Sequence, residues 1–121
     1  MTITPRVLVL LVEDEVIIRL LAAENLADAG YDVVEAACVT DALAILGGRD
    51  DVGVLFTDVN MPGDLDGMDL AEMVHSRWPE IKLVVTSGKP QGRRVPDDGR
   101  FLRKPYSVDQ MTASIRAASG Q

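Results

Sequence analysis

The 121-residue sequence has one cysteine, one histidine and no apolar stretch long enough to cross a bilayer. A membrane-spanning helix needs about 20 consecutive apolar residues. The longest run, Val7 to Val12, is too short even for the apolar part of a secretory leader, and the acids that follow it are wrong for one. Cys38 stands alone, so no internal disulfide is possible, as expected of a reducing compartment. Basic charge is also scarce: 12 Lys and Arg against 19 Asp and Glu give a formal charge of −7. Nucleic-acid binding needs clustered Lys and Arg, so none is expected of this chain, and the negative balance favours solubility. Repeats, linkers and low-complexity tracts are missing too. These absences lead us to expect a cytoplasmic single domain over residues 1–121 with no membrane or nucleic-acid partner. The apolar fraction of 47% is ample for a core.

What is present alternates. Val7–Val12 is branched and continuously apolar, the mark of a strand buried on both faces of a parallel sheet. Glu15 to Ala29 reads as a helix stopped at Gly30, with an inward stripe of Ile18, Leu21, Ala22, Leu26 and Ala29. Val16, Ile17 and Leu20 fall on its other side, which hints at a covered face. Further strands are expected at Tyr31–Glu35, Val52–Thr57, Lys82–Thr86 and Arg100–Arg103, and helices at Val39–Leu46 (ended by Gly47 and Gly48) and Gly67–Trp78. A last helix opens at Ser107, with Gln110 completing a capping box. Strands alternating with helices imply a doubly wound α/β fold: a five-stranded parallel sheet covered on both faces. Lys89–Gly99 breaks the pattern. Its two prolines and two glycines predict a crossover that is mostly loop, with at most one helical turn.

In an open parallel sheet, ligands bind at the carboxyl ends of the strands. Glu13 and Asp14 follow the first strand, Asp58 the third, Thr86 and Ser87 the fourth, and Lys104 the fifth. If the sheet is parallel, these groups share one rim. Like charges 4 Å apart repel by about 4 kcal/mol at an effective dielectric near 20, so three carboxylates there call for a cation. Oxygen donors without His or Cys suit Mg²⁺ or Mn²⁺. The competing reading, three unrelated surface acids at strand ends, does not explain why acids, hydroxyl and lysine each follow a different strand.

V-E-D-E at Val12–Glu15, F-T-D-V-N-M-P-G at Phe56–Gly63, D-G at Asp66–Gly67, V-T-S-G at Val85–Gly88 and K-P-Y at Lys104–Tyr106 resemble the signature of CheY-like response regulator receiver domains. The likeness spans nearly the whole chain and implies strand order 2-1-3-4-5. It further implies that Asp58 is the phosphoacceptor and that Mg²⁺ is held by Glu13, Asp14, Asp58 and the backbone carbonyl of Asn60. Thr86 and Lys104 would bind the phosphoryl group, Ser87 is small enough to leave phosphorus accessible, and Phe101 matches a switch aromatic. The donor would be a sensor histidine kinase or a histidine phosphotransfer protein of a bacterial two-component system, with an unknown downstream protein as receiver of the signal. Such a chain catalyses only its own phosphorylation and dephosphorylation, and exists as a monomer or weak homodimer. Short variants with prolines in the fourth crossover resemble receivers found alone or attached to hybrid kinases. Three departures stand out: a loop at Met61–Gly67 one residue longer than the commonest form, Gly88 where some relatives carry a polar residue, and a fourth helix that is short or absent.

Two other readings compete. A degenerate receiver would act as a phosphorylation-independent binding module, against which Asp58, Thr86 and Lys104 are all retained. A haloacid-dehalogenase-like phosphatase also uses a strand-end Asp, but with a second Asp two residues on, where this chain has Asn60. Elsewhere, six of the twelve basic residues lie between Lys89 and Lys104, either a docking patch or a solvated loop. His75 has no metal-ligand partners nearby and is expected on the surface. Cys38 reads as a small residue at a helix start, Trp78 as packing at a helix end, and Asn25 as near the inward face of the first helix.

Overall fold

The structure, a computed structural model, describes residues 6–120. The elements run β1 (Leu8–Val12), α1 (Val16–Asp28), β2 (Asp32–Ala36), α2 (Val39–Gly48), β3 (Val52–Asp58), α3 (Gly67–Arg77), β4 (Lys82–Ser87), β5 (Arg100–Arg103) and α4 (Val108–Ser119). All neighbouring strands pair in parallel, in the order β2-β1-β3-β4-β5. The expected sheet is therefore the observed one.

Alternation within β1 explains its unbroken apolar run. Leu10 and Val12 join Leu55, Val85, Met68 and Leu70 on the face covered by α2 and α3. Val9 and Leu11 join Phe56, Val84, Leu26 and Met111 on the face covered by α1 and α4. Side chains along a strand point to opposite faces in turn, so a central strand with helices on both sides needs apolar residues throughout.

Helix α1 departs from expectation. Of its predicted inward stripe only Ala22 and Leu26 are buried; Ile18, Leu21 and Ala29 are exposed, as are Val16, Ile17 and Leu20. The helix meets the sheet along a narrow seam, and Ile18 and Leu21 instead line an open cleft of about 460 Å³ with half-buried Asn25, Pro105 and Val108. Helix α2 continues through Gly47 and Gly48 to an extended Arg49. The roughly 1 kcal/mol penalty of a helical glycine is not enough to stop a helix at its last turn. His75 is half-buried rather than on the surface, and its Nδ1 has no hydrogen-bond partner among the described residues. Trp78 caps α3 and packs on the core, and Cys38 is the residue before α2.

Between β4 and β5 no helix forms, in keeping with the prolines and glycines there. The crossover closes on a turn in which the Gly99 amide donates to the Pro96 carbonyl at 3.0 Å. Asp97 and Asp98 hold positive φ of 59° and 51°, a left-handed pair that short polar side chains tolerate. Gly99 is required by contact: a Cβ there would lie 2.8 Å from the Leu83 carbonyl oxygen.

Candidate functional site

Parallel pairing brings the carboxyl ends of β1, β3, β4 and β5 to one rim. Glu13 and Asp14 leave β1, and Asp58 ends β3. Glu13, Asp14 and Asp58 each present a carboxylate oxygen, all within 4.8 Å of one another. Lys104, just past β5, donates from Nζ to Asp58 Oδ2 at 2.9 Å and lies 3.5 Å from Glu13 Oε1. Asp58 Oδ1 accepts a long bond from the Asn60 amide at 3.4 Å, and Glu13 Oε2 one from the Glu15 amide at 3.3 Å.

Glu13 and Asp58 are only 5% and 7% exposed, so their charges meet little water. Burial pushes the Glu13 carboxyl above its ordinary value, in spite of the Glu15 amide and the Lys104 ammonium, which favour its charged form. Burial is also the strongest influence on Lys104 and pulls it down. The hydrogen bond and charge of Asp58, followed by the charge of Glu13, together outweigh it and leave the ammonium above its ordinary value. Lys104 is therefore a firmly protonated cation facing carboxylates. Tyr106 is raised by burial and packs edge-on against Phe56, 6.1 Å between ring centres.

The phosphoacceptor candidate has a fixed backbone. The Val59 amide donates to the Thr86 carbonyl at 2.9 Å, and Thr57 Oγ1 donates to the Asp58 carbonyl at 2.9 Å. Gly67, the first residue of α3, sits directly on this segment. Its amide donates to the Val59 carbonyl at 2.9 Å, and a Cβ on it would lie 1.8 Å from the Asp58 carbonyl oxygen. Asp66 caps α3 in a reciprocal box: Asp69 N donates to Asp66 Oδ1 at 2.8 Å and Asp66 N to Asp69 Oδ2 at 2.9 Å.

The other expected residues are distributed around this cluster. Thr86 is buried and pairs in register with Asp58 on the adjacent strand. The Ser87 hydroxyl accepts from the Lys89 amide and from Gln91 Nε2, both at 3.1 Å, while its carbonyl receives the Lys104 amide at 2.9 Å. Asn60 is exposed and lines an open cleft of about 390 Å³ with Asp14, Asp58, Met61, Pro62 and Lys104. The Lys104–Pro105 peptide is cis. Phe101 lies apart from the carboxylates, on edge strand β5 and 41% exposed.

Three contributors escaped the sequence reading. Gly67 belonged to a recognised dipeptide, but its contact with Asp58 had no sequence signal. Arg19 donates to the Glu13 carbonyl at 2.9 Å and pairs with Glu35 at 3.2 Å, steadying the turn that carries the acids. Arg93, within the basic run, is no free solvated charge: its Nη2 donates to Asp69 Oδ1 at 2.9 Å and to Glu72 Oε2, tying the crossover to α3. Only the fold reveals these partners.

The donor set fits a hard divalent cation. Three carboxylates converge with no nitrogen or sulfur ligand beside them, and one, Asp14, is open to solvent.

A doubly wound sheet with acids, hydroxyl and lysine at its carboxyl rim defines a phosphoacceptor-type signalling fold. The response regulator receiver domain family matches residues 9–116, and the chain belongs to that family, the receivers of two-component systems. It is 37% identical over 116 residues to the sensor kinase CckA of Brucella abortus, covering 89% of this chain and 12% of that kinase. It is 37% identical over 116 residues to a putative NtrX-like response regulator of Rickettsia conorii, covering 91% of this chain and 24% of that protein. A response regulator receiver protein from Sinorhizobium medicae superposes with a TM-score of 0.87 at 25% identity, covering 95% of each chain. The chain thus spans about an eighth of the first of those curated relatives and about a quarter of the second. Receiver domains bind Mg²⁺ at an acidic pocket and take phosphate from histidine kinases or phosphotransfer proteins. Among the described residues no helix is long and apolar enough to cross a membrane.

Proposed function

We propose that residues 1–121 act as one receiver domain that accepts a phosphoryl group on Asp58 from a sensor histidine kinase or a histidine phosphotransfer protein. The observation carrying this reading is the 2.9 Å contact of Lys104 Nζ with Asp58 Oδ2 inside a group of three convergent carboxylates. A carboxylate oxygen of Asp58 attacks phosphorus in line, the P–N bond of the phosphohistidine breaks, and the imidazole leaves with the bonding pair. Lys104 turns from the carboxylate to the phosphoryl oxygens, and the Thr86 hydroxyl donates to another. Glu13, Asp14, Asp58 and the Asn60 carbonyl are the groups that would hold Mg²⁺, or Mn²⁺ with the same donors. Such an ion supplies charge neutralisation for the transferred oxygens. Water attacking the same phosphorus returns free Asp58, so the chain turns over no separate substrate.

The new group carries a charge of about −1.5 to −2. Drawing Thr86 toward it frees space beside β5, into which Phe101 rotates from its exposed position, and that shift is what a downstream protein reads. The chain works in the cytoplasm, as a monomer or weak homodimer.

The test is intact mass measurement after incubation with Mg²⁺ and acetyl phosphate, comparing wild type with Asp58→Ala. The expected result is a single acid-labile phosphoryl adduct on the wild type alone. An adduct that persists on Asp58→Ala, or none on the wild type, overturns the proposal.

A further inference from the structure

The first residues of the crossover between β4 and β5 are fastened at both ends. On the β4 side, Ser87 Oγ accepts the Lys89 amide and Gln91 Nε2, both at 3.1 Å. On the α3 side, Arg93 Nη2 donates to Asp69 Oδ1 at 2.9 Å and to Glu72 Oε2, and Nη1 lies 3.8 Å from Asp66 Oδ1. The crossover has no helix of its own to fix its course, so these side chains set it. Asp66, Asp69 and Glu72 follow one another at intervals of three from the cap of α3, which places them side by side on the helix. Without a cation they repel, and Arg93 is the one basic group paired with them among the described residues.

Both fastenings lead to the acceptor. Ser87 directly follows Thr86, which pairs in register with Asp58 and takes the Val59 amide on its carbonyl at 2.9 Å. Asp66 caps the helix whose first residue, Gly67, rests on the Asp58 carbonyl and donates to the Val59 carbonyl at 2.9 Å. Ser87 to Arg93 thus forms a strap across the two elements that flank Asp58 and Val59. A phosphoryl group on Asp58 draws Thr86 inward, and Ser87, the first anchor of the strap, is joined to it. Arg93, held by α3, does not follow. A contact made in one of two states and strained in the other favours the first by the difference in its strength.

We propose that Arg93 is a latch: by binding Asp69 and Glu72 it holds the strap in the unphosphorylated conformation, and it lets go when Asp58 carries a phosphoryl group. It is a positioning residue, since its bonds go to α3 and none to Asp58, Thr86 or Lys104. The inference rests on Asp58 as the acceptor and adds that the crossover opposes its modification. The coupling is reciprocal: as far as the closed latch weakens the hold of the site on a phosphoryl group, that group weakens the latch. Lone exposed ion pairs contribute little, but one guanidinium shared among three carboxylates is a network.

The experiment titrates the full chain with beryllofluoride, a phosphoryl mimic, in the presence of Mg²⁺ and follows binding by calorimetry. Arg93→Ala is expected to bind it roughly fivefold more tightly than wild type. Arg93→Lys, which keeps the charge without the planar fork, is expected to fall between the two. Glu72→Gln leaves the capping box intact and is expected to tighten binding as well, while adding it to Arg93→Ala changes nothing further. The gap between wild type and Arg93→Ala is expected to narrow as ionic strength rises. Without ligand, Arg93→Ala is expected to melt below wild type, because the latch stabilises the resting form. Lower melting with weaker binding marks a residue that is merely structural, or a guanidinium that reaches the phosphoryl group, and overturns the proposal. Equal affinity or equal melting does so too. Wild type that binds no beryllofluoride overturns the reading of Asp58 and the latch with it, whereas tight wild-type binding with indifferent variants overturns the latch alone.

Discussion

At the scale of single residues, the site depends as much on a missing side chain as on the charged ones. Gly67 lets α3 start directly against the backbone of Asp58. A methyl group there would lie 1.8 Å from a backbone carbonyl oxygen, so one of two well-bonded segments has to move. Gly67→Ala is expected to cost about 1–3 kcal/mol, the range for forced overpacking. It is also expected to slow phosphoryl uptake by displacing Asp58 from Lys104. Chemical denaturation and the rate of adduct formation check the two effects separately. A loss of stability with an unchanged uptake rate would show that α3 and the acceptor move independently. The acids and Lys104 were legible in the sequence because each follows a strand. Gly67 was legible only as half of a familiar dipeptide, since nothing in one sequence says which backbone will press on a glycine.

At the scale of elements, α3 and the crossover behave as a linked pair. Asp69 closes the capping box of α3 and also receives Arg93. Its carboxyl is held below the ordinary value, first by the Asp66 amide and then by Arg93. A carboxyl depressed in the folded state binds fewer protons there than in the unfolded chain, so it stabilises above the unfolded value and loses that contribution as pH falls through the folded one. Asp69→Asn should therefore be less stable than wild type at neutral pH, with the gap closing under acid conditions below the ordinary carboxylate range. Melting temperatures across that range check the sign. Because the group is at the surface, the effect is small and screened by salt. Asp66→Ala, which removes the cap itself, is expected to cost about 1 kcal/mol.

The two capping boxes show what sequence reading reaches. Ser107 with Gln110 has the usual residue types and was visible, whereas Asp66 with Asp69 uses a shorter acid at the third position and was not. The prolines and glycines of the crossover announced a loop. The Arg93 link could not be announced, because its acids lie more than twenty residues away. Helix α1 misled for the opposite reason: apolar residues nearly all round define no single inward face, so Ile18 and Leu21 could be assigned correctly only after packing.

At the scale of the whole molecule, the parallel sheet gathers residues from four strands into one charged rim, and that arrangement sets stability against function. Glu13 is buried beside Asp58 with a single ammonium between them, and burial disfavours its charge. The metal-free fold therefore carries an unfavourable group that binding would relieve. Adding Mg²⁺ is expected to raise the melting temperature, by about 2.7 kcal/mol of stability at a hundredfold excess over Kd. Glu13→Gln removes the buried charge while keeping its shape. It should melt higher than wild type without metal, yet gain much less when Mg²⁺ is added, so that the two melting curves cross as the metal concentration rises. Asp14→Asn, at the exposed end of the cluster, should lose the metal response with little change in the metal-free melting temperature. Mg²⁺-independent melting of the wild type would mean that the carboxylates are balanced by Lys104 alone. A crossing of the curves would instead mark Glu13 as a group that costs the empty fold stability and serves it only when a cation is bound.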